Sequence, residues 1–96
     1  SATSMNIKTY LGFDVGTKRT GIAIANSLTS HASGIETVIH HKDGSTNWPQ
    51  LEKLINKHQA DIFVVGLPLD DKGKEQEMTF IALSFGRKLE QRFSKE

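Results

Sequence analysis

Two alternating segments, IKTYLGFDV at 7–15 and TGIAIAN at 20–26, are joined by only four residues, GTKR. A connector that short fits an antiparallel hairpin, whereas parallel neighbours need a crossover of a dozen residues or more. Any fold for this chain must therefore contain this hairpin. In the first strand Tyr10, Gly12 and Asp14 share one face, and Leu11, Phe13 and Val15 the other. In the second, Gly21, Ala23 and Ala25 form a small-residue face, and Ile22 and Ile24 a large one. Asp14 is thus a carboxylate set in an apolar strand. Gly12 and Gly16 flank it, and the basic pair Lys18 and Arg19 follows.

The rest of the chain extends this start into an α/β pattern. SGIETVIH, 33–40, predicts a third strand with Ile35, Thr37 and Ile39 on one side, and HHKDGSTN, 40–47, a polar turn. A helix is predicted over 48–59, with Pro49 in its first turn and Trp48, Leu51, Leu54 and Ile55 as its apolar stripe. DIFVVGL, 61–67, is a nearly continuous apolar run, the pattern of a strand buried on both faces near the middle of a parallel or mixed sheet. PLDDKGKE, 68–75, predicts a loop whose adjacent acids, Asp70 and Asp71, are solvated. A second helix is predicted over 76–93, with Met78, Ile81, Ala82, Phe85 and Leu89 at helical spacing. Glu75 and Glu77 lie near its start, and Lys88, Arg92 and Lys95 near its end, an order that suits the helix dipole. The order β-β-β-α-β-α describes one α/β domain with a mixed sheet. The chain stops at Glu96, directly after that helix, which reads as a truncated end.

Composition narrows the function classes. The chain has 96 residues, and the absence of cysteine excludes disulfides and thiolate metal sites and suits a reducing cytosol. No apolar run approaches the ~20 residues that span a bilayer. No signal peptide is evident, and Ser1–Ser4, ahead of Met5, read as an expression scar. The net charge is +1 and the pI about 8.0. Dedicated nucleic-acid binders often exceed roughly 9, so any basic patch must be local. Oligomeric state is left open.

Asp14 has two readings. A carboxylate at a strand end can accept hydrogen bonds from the following turn, with Gly16 supplying a positive φ. Alternatively it holds a hard cation beside phosphate-binding residues, the layout of metal-assisted phosphoryl chemistry. The small residues around it either form an open floor or admit a closely packed helix. Lys18 and Arg19 either bind phosphate or belong to a solvated turn. A Walker A loop is excluded, because Ile22 follows Gly21 where Lys is required. A dinucleotide fingerprint is excluded because the turn joins strand to strand. A second candidate is VVGLPL, 64–69, where Gly66 and Pro68 either border a ligand at a strand end or simply stop the strand. His40 and His41, neighbours on a strand, point to opposite faces and make a poor metal pair, and His31 and His58 lack evident ligand partners. Trp48 reads as core or helix-flanking.

GFDVGTKRTGIA, followed about forty residues later by VVGLPL and then by GKEQ, resembles the RuvX/YqgF family. These are bacterial RNase H-like proteins described as Holliday junction resolvases and as nucleases that process pre-16S ribosomal RNA. The resemblance covers Ile7 to about Phe93. It implies an RNase H-like core, β-β-β-α-β-α-β-α, whose first six elements match the order above. It implies that Asp14 is a catalytic ligand to Mg²⁺ or Mn²⁺. It further implies that Gly16, Thr17, Lys18 and Arg19 contact a nucleic-acid backbone, and that Gly66 and Pro68 shape the cleft rim. The family continues into a further strand with an Asp-Glu-Arg motif and a final helix with another Asp, and it commonly has an acid where Lys72 stands here. Residues 5–96 are accordingly expected to be a C-terminally incomplete domain with little hydrolytic activity alone. A non-catalytic nucleic-acid-binding module is the main alternative. A phosphotransferase of the actin and sugar-kinase kind lacks its second phosphate motif.

Overall fold

The computed structural model describes residues 6–29 and 31–93. Ser1–Ser4, Lys95 and the end at Glu96 lie outside the described residues. Six elements follow in the expected order: β1 Thr9–Val15, β2 Arg19–Asn26, β3 Ser33–Ile39, α1 Trp48–His58, β4 Ile62–Val65 and α2 Glu77–Phe93. The sheet order is β3-β2-β1-β4. β1 runs antiparallel to β2 and parallel to β4, and β3 is antiparallel to β2. This mixed sheet agrees with an RNase H-like core.

Both helices cover one face of the sheet. Leu11, Phe13, Val15, Ile22 and Val38 meet Leu51, Leu54 and Ile55 of α1 and Phe85 and Leu89 of α2 in one core. The Phe13 ring lies edge-on to Phe63 and tilted against Phe85. Trp48 stacks on Phe85, and the Arg92 guanidinium sits 4.3 Å over its ring, so Trp48 is a helix-flanking support. The opposite face carries no helix among the described residues.

Local chemistry sets the element ends. The Asn47 side chain accepts from the Gln50 N–H and caps α1, which ends at Gln59 in the left-handed region. Asp61 binds Thr9 twice: its N–H donates to the Thr9 carbonyl, and its carboxylate accepts from the Thr9 N–H, each at 2.8 Å. That pair fixes the register of β4 on β1. At the start of α2, the buried Thr79 hydroxyl accepts from the Gln76 N–H at 3.0 Å and donates to the Pro68 carbonyl. The helix start is thereby tied to the loop that leads into it. No helix among the described residues is long and apolar enough to cross a membrane.

Two sequence expectations are corrected, for β4 and α2, and the structure shows which side of β3 is buried. β4 is an edge strand among the described residues, and Val64 is 51 % exposed, because only one face of the sheet meets the helices. In β3 the buried side chain is Val38, opposite Thr20, while Ile39 is exposed. The register shifts between Ile22 and Ala23, whose partners are Glu36 and Gly34, so Ile35 is the additional residue of a bulge. In α2 Thr79 takes an inward position, and Ile81 is exposed.

Candidate active site

Asp14 projects from β1 onto the face without helices. Its partner across β2 is Gly21, and Gly12 on the same face lies between Ala23 and Val64. The small residues therefore form an open floor. A Cβ added at Gly21 would stand 3.9 Å from the Asp14 Cβ. The floor belongs to an open cavity of about 640 Å³ lined by Gly12, Asp14, Gly21, Ala23, Glu36, Val64 and Gly66, among others.

The turn does not use Asp14. It closes through the Gly16 N–H, which donates to the Arg19 carbonyl at 2.8 Å. The exposed carboxylate accepts no hydrogen bond from the described residues. Gly16 also has a different reason from the one expected: its φ lies outside the left-handed region, but a Cβ there would sit 2.9 Å from the Arg19 carbonyl oxygen. Close approach of two backbone segments requires the glycine.

The other predicted residues divide between locations. Gly66 lines the Asp14 cavity, and its N–H donates to the Phe13 carbonyl at 3.1 Å, extending the β1–β4 ladder. A Cβ at Gly66 would meet nothing closer than 3.8 Å, so the space there is free for a ligand. Arg19, two residues before Gly21 on β2, shares its face and hence that of Asp14. Lys18 is exposed in the turn. Gly16 and Thr17 do not line the Asp14 cavity; they line a neighbouring one of about 370 Å³ with His40, Trp48 and Lys88. Pro68 lines neither cavity, and its carbonyl is engaged by Thr79.

Sequence reasoning missed Glu36, named Val64 only within the VVGLPL motif, and considered His40 only as a metal ligand. Glu36 shares the cavity wall, but its carboxylate accepts from the Gln50 side chain at 2.9 Å, on the helix side. Asp70, expected to be solvated, accepts from the Lys72 and Lys74 N–H groups at 2.9 and 2.8 Å and organises its own loop. In the 40–46 loop, the Ser45 hydroxyl and then its N–H bond Asp43 and hold that carboxyl below the usual range.

The donor set decides what the site can hold. Among the described residues no three His, Asp or Glu side chains gather to bind a metal ion. Mg²⁺ asks for near-octahedral oxygen coordination, and a two-metal nuclease site needs several carboxylates. Asp14 supplies one such ligand, so the described residues do not by themselves build the expected Mg²⁺ or Mn²⁺ centre. They do present an anionic oxygen on an open floor with a cationic turn at its edge.

The chain is similar to known proteins over most of its length. The chain is 45 % identical over 92 residues to the "Putative pre-16S rRNA nuclease" of Aeromonas salmonicida, covering 96 % of this chain and 65 % of that protein. It is 46 % identical over 89 residues to the protein of the same name from Shewanella oneidensis, covering 93 % and 62 %. For the Coxiella burnetii protein of that name the figures are 41 % over 83 residues, 86 % and 58 %. The chain thus spans 58–65 % of the length of these relatives. The RuvX family model, described as Holliday junction resolvase, matches residues 8–96, and the chain belongs to that family.

Proposed function

We propose that this chain carries the nucleic-acid-binding face and the first catalytic acid of a phosphodiester-cleaving nuclease. The observation that carries this reading is the exposed Asp14, unbonded among the described residues, on its open small-residue floor with Arg19 on the same face. The family description and the relatives' names indicate the substrate class, structured RNA such as a pre-16S precursor or branched DNA.

Phosphodiester hydrolysis places developing negative charge on the phosphate oxygens, and preorganised positive groups lower its cost. Lys18 and Arg19 would neutralise the phosphates beside the scissile one. The Gly16–Thr17 backbone would contact the strand over the turn. Gly66 would let it approach the floor, with Pro68 at the outer rim. Asp14 would be one acid of a larger set, and a divalent ion, Mg²⁺ or Mn²⁺, would need donors beyond those described.

The test measures binding and cleavage of a labelled RNA stem-loop and of a four-way DNA junction, with Mg²⁺ or Mn²⁺ in the buffer. The 96-residue chain is expected to bind with an affinity that falls with salt and to cleave little. Asp14→Asn is expected to keep its stability within about 0.5 kcal/mol, because the side chain is exposed and bonds none of the described residues. Cleavage by the wild-type chain that vanishes in Asp14→Asn would show a complete centre and overturn the one-acid reading. Absence of salt-dependent binding would remove the nucleic-acid reading altogether.

A second reading, a non-catalytic binding module on the same face, is favoured by the single free acid in the cavity, Glu36 being engaged by Gln50. It requires that Asp14→Asn bind both probes as the wild type does, with no cleavage by either protein.

A further inference from the structure

His40 follows β3 directly and reaches back to the turn between β1 and β2. Its N–H donates to the Lys18 carbonyl at 2.9 Å. Its ring Nδ1 lies 3.1 Å from the Thr17 carbonyl oxygen, and its Nε2 lies 2.8 Å from the Thr20 hydroxyl. A carbonyl only accepts, so Nδ1 carries the proton. In the neutral ring Nε2 is then an acceptor, and the Thr20 hydroxyl donates to it. One residue thus bonds three positions within four of the chain.

The two ends of the ring meet unequal partners. Thr20 is fully buried, paired across the sheet with Val15 and Val38. Thr17 and Lys18 are exposed. The ring is therefore anchored on a rigid strand and extends a donor to a segment with little packing of its own. The backbone bond to Lys18 survives any replacement except proline, and the turn keeps its Gly16–Arg19 bond. The Thr17 and Thr20 bonds both depend on the side chain at position 40, and of these only the Thr17 bond restrains the turn ahead of β2. The charged groups around the ring are Lys88 of α2, which lines the same cavity, Lys18 and Arg19 of the turn, and His41, Lys42 and Asp43 of the adjoining loop.

We propose that His40 is a positioning residue for nucleic-acid binding. It holds the Gly16–Arg19 turn in one conformation, so that Lys18 and Arg19 meet the phosphates on either side of the one presented to Asp14. The inference rests on the nucleic-acid reading above and adds to it a residue that touches no substrate. Ordering the turn in advance removes part of the entropy cost of immobilising it on binding.

The experiment compares wild type, His40→Ala and His40→Asn, each also with Lys18 and Arg19 both changed to Ala. Affinity for a fluorescein-labelled RNA stem-loop is measured by anisotropy at several salt concentrations, with thermal melting alongside. His40→Ala is expected to bind roughly tenfold more weakly, with a salt slope lowered by about one phosphate contact. His40→Asn is expected to regain most of the affinity, because its amide N–H can take the place of Nδ1–H toward Thr17. In the background without Lys18 and Arg19, His40→Ala is expected to change nothing further. Ring ¹⁵N shifts of the wild type should show the proton on Nδ1, a readout that needs no variant to fold. A proton on Nε2 instead, or equal affinity and slope for wild type and His40→Ala, would overturn the positioning role and leave the nucleic-acid reading standing. Wild type that binds neither this probe nor a labelled four-way DNA junction would overturn both.

Discussion

At Gly16 the backbone leaves no room for a side chain, while at Gly21, across from Asp14, it does. A methyl group at Gly16 would press on the Arg19 carbonyl at 2.9 Å, and the turn can relieve this only by giving up its 2.8 Å closing bond. Gly16→Ala is expected to cost about 1–3 kcal/mol in chemical denaturation. Gly21→Ala, at 3.9 Å from the nearest atom, should cost less than Gly16→Ala in the same measurement. The two glycines look alike in the sequence. Only the structure separates a residue the fold requires from one that keeps the floor open. At Asp14 the sequence left two readings open, an acceptor for the following turn and a ligand for a hard cation. The turn-bonding explanation failed once Gly16 was found to bond Arg19 instead.

The elements that sequence placed well are those decided by neighbours close in the chain. The β1–β2 hairpin follows from a four-residue connector, and α1 from a stripe and a capping Asn47. Where distant partners decide, the sequence was silent or misleading. β4 has the composition of a central strand but stands at an edge among the described residues, and β3 carries a bulge at Ile35 that its alternation did not announce. Thr79 is the clearest case. A polar residue occupies a buried helix position because its hydroxyl satisfies the Gln76 N–H and the Pro68 carbonyl together. Thr79→Val keeps the shape and removes both bonds. It is expected to destabilise by about 1–3 kcal/mol, seen as a lower denaturation midpoint. Asp70 shows the same limit, since its loop-organising bonds could not be read from two adjacent acids.

At the scale of the described residues as a whole, one layer of helices on one face of the sheet makes a thin core. Phe85 sits at its centre, in contact with Phe13 and stacked on Trp48, which in turn supports Arg92. Phe85→Ala is expected to cost about 3–5 kcal/mol. That is a large share of the roughly 5–15 kcal/mol available to a domain, so thermal melting should move down sharply. The same one-sided covering keeps Asp14 accessible, so the site exists because the core does not continue beneath it. Gly66 and His40 join this region from positions far along the chain, which is why the former was a guess from a motif and the latter was considered only as a metal ligand.

β1 acquires its two neighbours by routes of very different length. β2 is reached through a four-residue turn, whereas β4 is registered by Asp61, 52 positions from Thr9. Closing the longer loop costs more chain entropy, and such contacts tend to form late. The order of folding then follows from the order of strands: the hairpin that sets Asp14 beside Gly21 comes first, and the rim carried by Gly66 arrives last. Pulsed hydrogen exchange during refolding is expected to protect the Leu11–Ile24 ladder before the Gly66 amide. Early in refolding the acid would then stand exposed on its hairpin, with no cavity yet to receive a substrate.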